Sequence, residues 1–186
     1  SLLRIMVEAI PQAFGYTLVS LYLLHSDALV LQHQVGYPHM IERLPLGQGV
    51  CSRVALSGAP VLLEDVRADP SFIGVLDNIT SEICIPLFDQ GMVAGVLNVE
   101  STGGVRLTEA DLRLMSELAD QIGVAIGRAR LYAAVRQERD FSAALIETMS
   151  SLLVVLDRQG RIVRFNRACE QTTGYSFEQV RDLPPW

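Results

Sequence analysis

The run Met92-Val93-Ala94-Gly95-Val96-Leu97-Asn98-Val99-Glu100 is apolar at successive positions until Asn98 and Glu100. An extended strand of this kind hides both faces, so it belongs in the middle of a sheet with a layer on each side. Ile83–Phe88 precedes it across Asp89-Gln90-Gly91, and the two segments read as a hairpin whose turn glycine takes positive φ. Thr108-Glu109-Ala110-Asp111 then opens a long helix, with Thr108 placed to cap its first amides. The chain is thereby committed to a sheet and helices packed together.

The segments before the hairpin follow the same grammar. Leu2, Ile5, Met6 and Ala9 are spaced for one apolar face of a helix over 2–14, which Pro11 is expected to kink or end early. Tyr16–Leu24 reads as a strand and His25-Ser26-Asp27-Ala28 as a turn. In the next strand Leu29, Leu31, His33 and Val35 fall on one face, and Gln32 and Gln34 on the other. A short strand is expected near 42–45, a helix over 49–57 ended by Gly58, and a brief strand over 61–63. Ser71–Leu76 reads as a short helix inside a long connection of the kind that covers ligands.

The long helix carries a seam of Leu112, Met115, Ala119, Ile122, Ile126, Ala129 and Ala133, in alternating steps of three and four. The seam breaks in the polar run Arg136–Asp140 and resumes at Phe141, Leu145 and Met149. Continuous to Met149, the helix would be about 60 Å long. Part of Leu112–Ile126 packs on its own sheet. Beyond Ala129 little domain remains to cover it, so a partner helix and a homodimer through this helix are expected. From Leu152 the pattern changes to a strand, the turn Asp157-Arg158-Gln159-Gly160, and a second strand over 161–165. Asn166 can cap a helix through Thr173, and Gly174-Tyr175-Ser176 opens another.

Composition removes several functions. A net charge of −6 gives no basic face for nucleic acid, and no polybasic run suggests membrane contact. The longest apolar runs, such as Leu152–Leu156, fall far short of the roughly 18 residues of a membrane span. Three cysteines without a CxxC pair, and a start without a leader pattern, point to buried thiols in a cytoplasmic protein. The missing initial Met and the end at Pro184-Pro185-Trp186 read as a fragment of something longer.

Leu46-Gly47-Gln48-Gly49-Val50-Cys51, then Ser81-Glu82-Ile83-Cys84-Ile85-Pro86-Leu87, then Gly95-Val96-Leu97-Asn98-Val99-Glu100-Ser101 resembles the GAF domain, a bacterial small-molecule-sensing module. Asp157-x-x-Gly160, Asn166-x-Ala168 and Thr173-Gly174-Tyr175-Ser176 resemble the entry to a PAS domain, of which less than half is covered. These resemblances imply an α+β fold: a central antiparallel sheet flanked by helices, with a long C-terminal helix leading to an incomplete PAS segment. The implied organisation is a GAF domain over 1–131, a signalling helix over 132–150 and PAS sequence over 151–186. The implied function is the sensor region of a cytoplasmic signalling protein, foremost a histidine kinase of a phosphorelay, with a diguanylate cyclase as an alternative. The fragment itself is then not an enzyme.

One member of the resembled group is a GAF enzyme that reduces free methionine sulfoxide with cysteines. Its other thiol positions are held here by Ile41 and by Leu76 before Asp77, which leaves Cys51 without that enzyme's partners. Gly47-Gln48-Gly49 lacks the third glycine of a dinucleotide loop, Ser52 standing there instead. No Cys-His pair for a bilin and no HExxH for zinc occurs; His25, His33 and His39 read as solvated or structural. No cofactor and no metal are expected.

What remains is a polar pocket. Glu82 with Cys84, and Asn98 with Glu100, share strand faces, and by resemblance Glu82, Asn98 and Glu100 match the reductase's substrate-binding positions. Converging carboxylates repel unless a cation lies between them, so an ammonium-bearing ligand such as an amino-acid derivative would suit. The candidate ligand-binding set is Cys51, Phe72, Leu76, Asp77, Glu82, Asn98 and Glu100. The bland alternative places both carboxylates in water at strand ends and leaves the domain a dimerisation spacer.

Overall fold

The computed structural model describes residues 2–181 and 183, which divide after Ala129 into two units. In chain order the elements are α1 (Leu2–Phe14), β1 (Leu18–His25), β2 (Ala28–Val35), β3 (Arg43–Pro45), α2 (Gly49–Ser57) and β4 (Val61–Leu63). They continue with a 3-10 turn (Val66–Ala68), β5 (Ile79–Asp89), β6 (Met92–Thr102) and the 40-residue α3 (Glu109–Thr148). The second unit adds β7 (Val154–Leu156), β8 (Ile162–Phe165), α4 (Arg167–Thr173) and α5 (Phe177–Val180). The Pro184–Trp186 end lies outside the described residues.

In the first unit six strands form one sheet in the order β3-β2-β1-β6-β5-β4, each neighbouring pair antiparallel. The doubly apolar β6 lies between β1 and β5, and its residues 94–101 are all buried. One face of the sheet packs on α1 and the first half of α3, where Val7, Ile10, Met115, Ala119, Ile122 and Ile126 meet Leu21, Ile85 and Leu97. The other face carries α2, where Val50, Cys51 and Val54 meet Tyr22, Leu29, Cys84 and Val96. Gly58 ends α2 in the left-handed conformation at φ 67°, its amide bonded to the Val54 carbonyl.

Three expectations give way. α1 continues through Pro11 to Phe14, because Val7 and Ile10 hold it to the core on the turn where the proline removes a bond. In β2 the register shifts opposite Leu21 and Tyr22, which pair with His33 and Leu31 and leave Gln32 as the extra residue of a bulge. Leu29 and Leu31 therefore pack under α2, whereas Val35 packs on the α1 side and His33 Nε2 lies 3.3 Å from Glu8 of α1. Lastly, 71–76 is irregular, and the helical turn comes earlier at Val66–Ala68. Here short acidic side chains take the amides a helix would use: Asp65 accepts from Arg67 N (3.1 Å) and Asp69 from Ser71 N (2.8 Å).

In the second unit β7 and β8 form a two-stranded antiparallel hairpin. Asn166 is fully buried and fully bonded: its carbonyl oxygen accepts from Leu153 N and Cys169 N, and its amide donates to the Ile146 and Ser151 carbonyls. It caps α4, as its sequence position suggests. Among the described residues no helix is long and apolar enough to cross a membrane.

Candidate functional site

Strand register assembles the site. Glu82 of β5 and Glu100 of β6 are directly opposite, as are Cys84 and Asn98, and on the other side of β6 Asn98 faces Ser20 and Val96 faces Tyr22 of β1. Directly opposed side chains have Cβ atoms about 5 Å apart. All of these lie on the face that carries α2. The start of α2 supplies Gln48, Gly49, Val50 and Cys51 to the wall of a cavity of about 40 Å³. Met40 and Ile41 before β3, and Ile73 and Val75 from the long connection, close it over Glu82, Asn98 and Glu100. At about 10–15 Å³ per water centre, this is room for a few waters or one small polar group.

The carboxylates are not at wet strand ends. Glu82 is 3% and Glu100 4% exposed. The Tyr37 hydroxyl donates to Glu100 Oε2 at 2.8 Å. The Asn98 amide, with its nitrogen turned toward β5, donates to Glu82 Oε1 (2.8 Å) and to the Ile83 carbonyl (3.2 Å). Glu82 Oε2 is buried with no hydrogen-bond partner. Burial first, and then the Glu100 charge, push the Glu82 carboxyl well above the usual carboxylate range. Burial also lifts Glu100 to about 7, against the opposing hydrogen bond from Tyr37. Tyr37 itself is raised by burial and by the neighbouring Glu100 charge, so it stays a donor.

Cys51 sits on the cavity wall with its Sγ 3.7 Å from Cys84 Sγ beneath it. Both thiols are free. The hydrogen bond from Cys84 favours the Cys51 thiolate, but burial and the two glutamates leave the thiol raised. Burial and the bond to Cys51 raise Cys84 further.

The structure thus brings together Cys51, Glu82, Asn98 and Glu100. Leu76 instead packs into a small apolar cluster with Leu18, Tyr37, Val66 and Ile79, Phe72 packs on both that cluster and the one around Cys51 and Cys84, and Asp77 is exposed. The connection bearing them is tied to α2 by an ion pair between Arg53 and Asp69 at 2.7 Å. Ser71 and Arg53 hold the Asp69 carboxyl down at about 2. Tyr37 was not foreseen: it stands 63 residues from Glu100 in a loop, with no pattern to mark it. The nearness of Cys84 to Cys51 also escapes a reading of spacing, since it depends on how α2 lies across the sheet. His25 and His39 are exposed, and among the described residues no cluster of His, Cys, Asp or Glu could hold a metal ion.

The GAF domain family model matches residues 1–126, and a PAS domain model matches residues 140–186. The crystal structure of free methionine-R-sulfoxide reductase from Neisseria meningitidis in complex with its substrate is 34% identical, with a TM-score of 0.64 over 70% of this chain and 78% of that one. The free methionine-R-sulfoxide reductase of Escherichia coli is 33% identical over 54% of this chain and 61% of its own length. The dual 3',5'-cyclic-AMP and -GMP phosphodiesterase 11A of Takifugu rubripes is 32% identical over 66% of this chain. The chain spans only 14% of that phosphodiesterase and 61% of the E. coli reductase. A central antiparallel sheet with the carboxylate-lined cavity under α2, and a family match over most of the sequence, place this chain in the GAF domain family, with PAS sequence following.

Proposed function

We propose that this chain is the sensor region of a bacterial cytoplasmic signalling protein, and that its cavity takes the ammonium group of a small amino-acid-like ligand between Glu82 and Glu100. One observation carries the reading: Glu82 Oε2 is buried without a partner, directly across the strand pair from a second buried carboxylate. An unpaired buried acceptor costs about 1–3 kcal/mol, and a cationic donor entering the cavity relieves both that cost and the mutual repulsion. Asn98 and Tyr37 would hold the carboxylates in place, and Cys51 would bound the ligand. Residues 1–131 form the ligand domain in this reading, 132–150 a helical relay in a homodimer, and 151–186 PAS sequence. The output is foremost a histidine kinase, with a diguanylate cyclase as the alternative. The ligand acts by favouring one of two arrangements of the cavity and α3.

The test is calorimetric titration of the chain with free amino acids, L-methionine and L-methionine sulfoxide included. Binding of one equivalent, weakened at least tenfold in Glu82→Gln, is expected. Failure of every amino acid to bind, with nothing co-purifying by native mass spectrometry, would leave a dimerisation spacer. The similarity to two reductases and the 3.7 Å approach of Cys84 to Cys51 favour a second reading, reduction of free methionine sulfoxide. Against it, Ile41 and Leu76 hold the positions where that enzyme has its other thiols. Turnover with a dithiol reductant, lost in Cys51→Ser, would establish the reductase; no turnover closes it.

A further inference from the structure

We infer that Cys51 and Cys84 are a redox-active dithiol at the cavity wall, which small peroxides entering the cavity close to a disulfide. The two sulfurs approach to 3.7 Å from different elements, α2 and β5, with nothing between them. Cys51 lines the cavity, whereas Cys84 is fully buried and meets it from beneath. The positions divide the roles. Cys51 accepts the hydrogen bond from Cys84, stands in the first turn of α2, and alone of the two lines the cavity and meets what enters it. A cavity of about 40 Å³ admits a molecule the size of hydrogen peroxide and excludes a peptide disulfide. Cys169 belongs to the second unit and has no part in the pair.

The chemistry balances without a further reactant. The Cys51 sulfur attacks one peroxide oxygen, the O–O bond breaks, and the departing hydroxide takes the Cys51 proton to leave water and a sulfenic acid. The Cys84 sulfur then attacks the sulfenic sulfur. The S–O bond breaks, the hydroxyl leaves with the Cys84 proton as a second water, and the S–S bond forms. Two thiols are oxidised and one peroxide is reduced. The disulfide fastens the first turn of α2 covalently to β5, the strand that bears Glu82. This step is independent of any ligand.

The experiment treats the whole chain with hydrogen peroxide or with oxidised glutathione, alkylates it under denaturing conditions and maps peptides by mass spectrometry. Peroxide is expected to yield a Cys51–Cys84 cross-link in most chains, reversed by dithiothreitol, with Cys169 still alkylatable. Cys84→Ser is expected to stop at a dimedone-reactive sulfenic acid on Cys51. Oxidised glutathione is expected to leave both thiols free. Free thiols after peroxide, over-oxidation of Cys51 without a cross-link, pairing with Cys169, or a glutathione adduct on Cys51 would each overturn the inference. The wild-type map decides the question even if the variant does not fold.

Discussion

Glu100 gives the sharpest test of the site at the level of one residue. Its carboxyl is raised from its ordinary 4.5 to about 7, chiefly by burial, so the folded chain holds a proton there that the unfolded chain releases. A raised carboxyl contributes stability in full below pH 4.5 and loses it as pH rises through about 7. Over that window the loss is about 3 kcal/mol for Glu100 alone, and Glu82, raised in the same sense, extends it upward. Urea denaturation at pH 5 and pH 8 should therefore show the chain less stable at the higher pH, and Glu100→Gln should remove part of that difference, Glu82 carrying the rest. Equal stability at both values would mean the carboxylates are solvated. Glu82, Asn98 and Glu100 were legible in sequence because β-strand alternation puts them on shared faces, and only polar residues break an otherwise apolar strand. Tyr37 and the Cys84 contact were not, because both depend on long-range placement that no local period encodes.

Among the elements, α3 approaches the sheet closely at Gly123, where an added Cβ would meet the Phe88 carbonyl and backbone nitrogen. Alanine is ordinarily the better helix former by about 1 kcal/mol. Here the clash is with backbone, which cannot rotate away, so the cost falls at the upper end of overpacking, about 2–3 kcal/mol, and prevails. Gly123→Ala should therefore destabilise by roughly 1–2 kcal/mol in a thermal melt. Gly127→Ala, which would meet the Asp89 carboxylate rather than backbone, should cost less than Gly123→Ala. The same contrast between local pattern and packing explains the misread elements. Pro11 breaks a helix in isolation, but the buried Val7 and Ile10 outweigh it. The even alternation of β2 hides its bulge, because Gln32 resembles any outward-facing residue until the pairing with β1 is known. In 71–76 the apolar spacing of Phe72, Ile73 and Leu76 imitates a helix, while Pro70, Gly74 and the amide-binding Asp69 favour irregular chain.

At the scale of the molecule, the α3 seam changes its role along its length. Met115, Ala119, Ile122 and Ile126 are buried in the chain's own core, while Ala129 and Ala133 are exposed. Leu131, Tyr132 and Val135 stand 63%, 75% and 57% exposed beyond them. Sedimentation equilibrium should find a dimer that Ala129→Glu with Ala133→Glu, on the exposed continuation of the seam, converts to monomer, with the fold of residues 1–126 unaltered. A monomeric wild-type chain would remove the helical relay. The β5–β6 hairpin has a consequence of another kind. Its cavity-facing residues, Glu82, Cys84, Asn98 and Glu100, alternate with core residues Ile83, Ile85, Leu97 and Val99 that face the helices. Inserting one residue into either strand would carry carboxylates into the helix-facing core and send aliphatic side chains into the cavity. Between its two register shifts, at Thr80 and at Ala94, recognition and folding are thus written in a single reading frame, which a side-chain change preserves and a one-residue insertion does not.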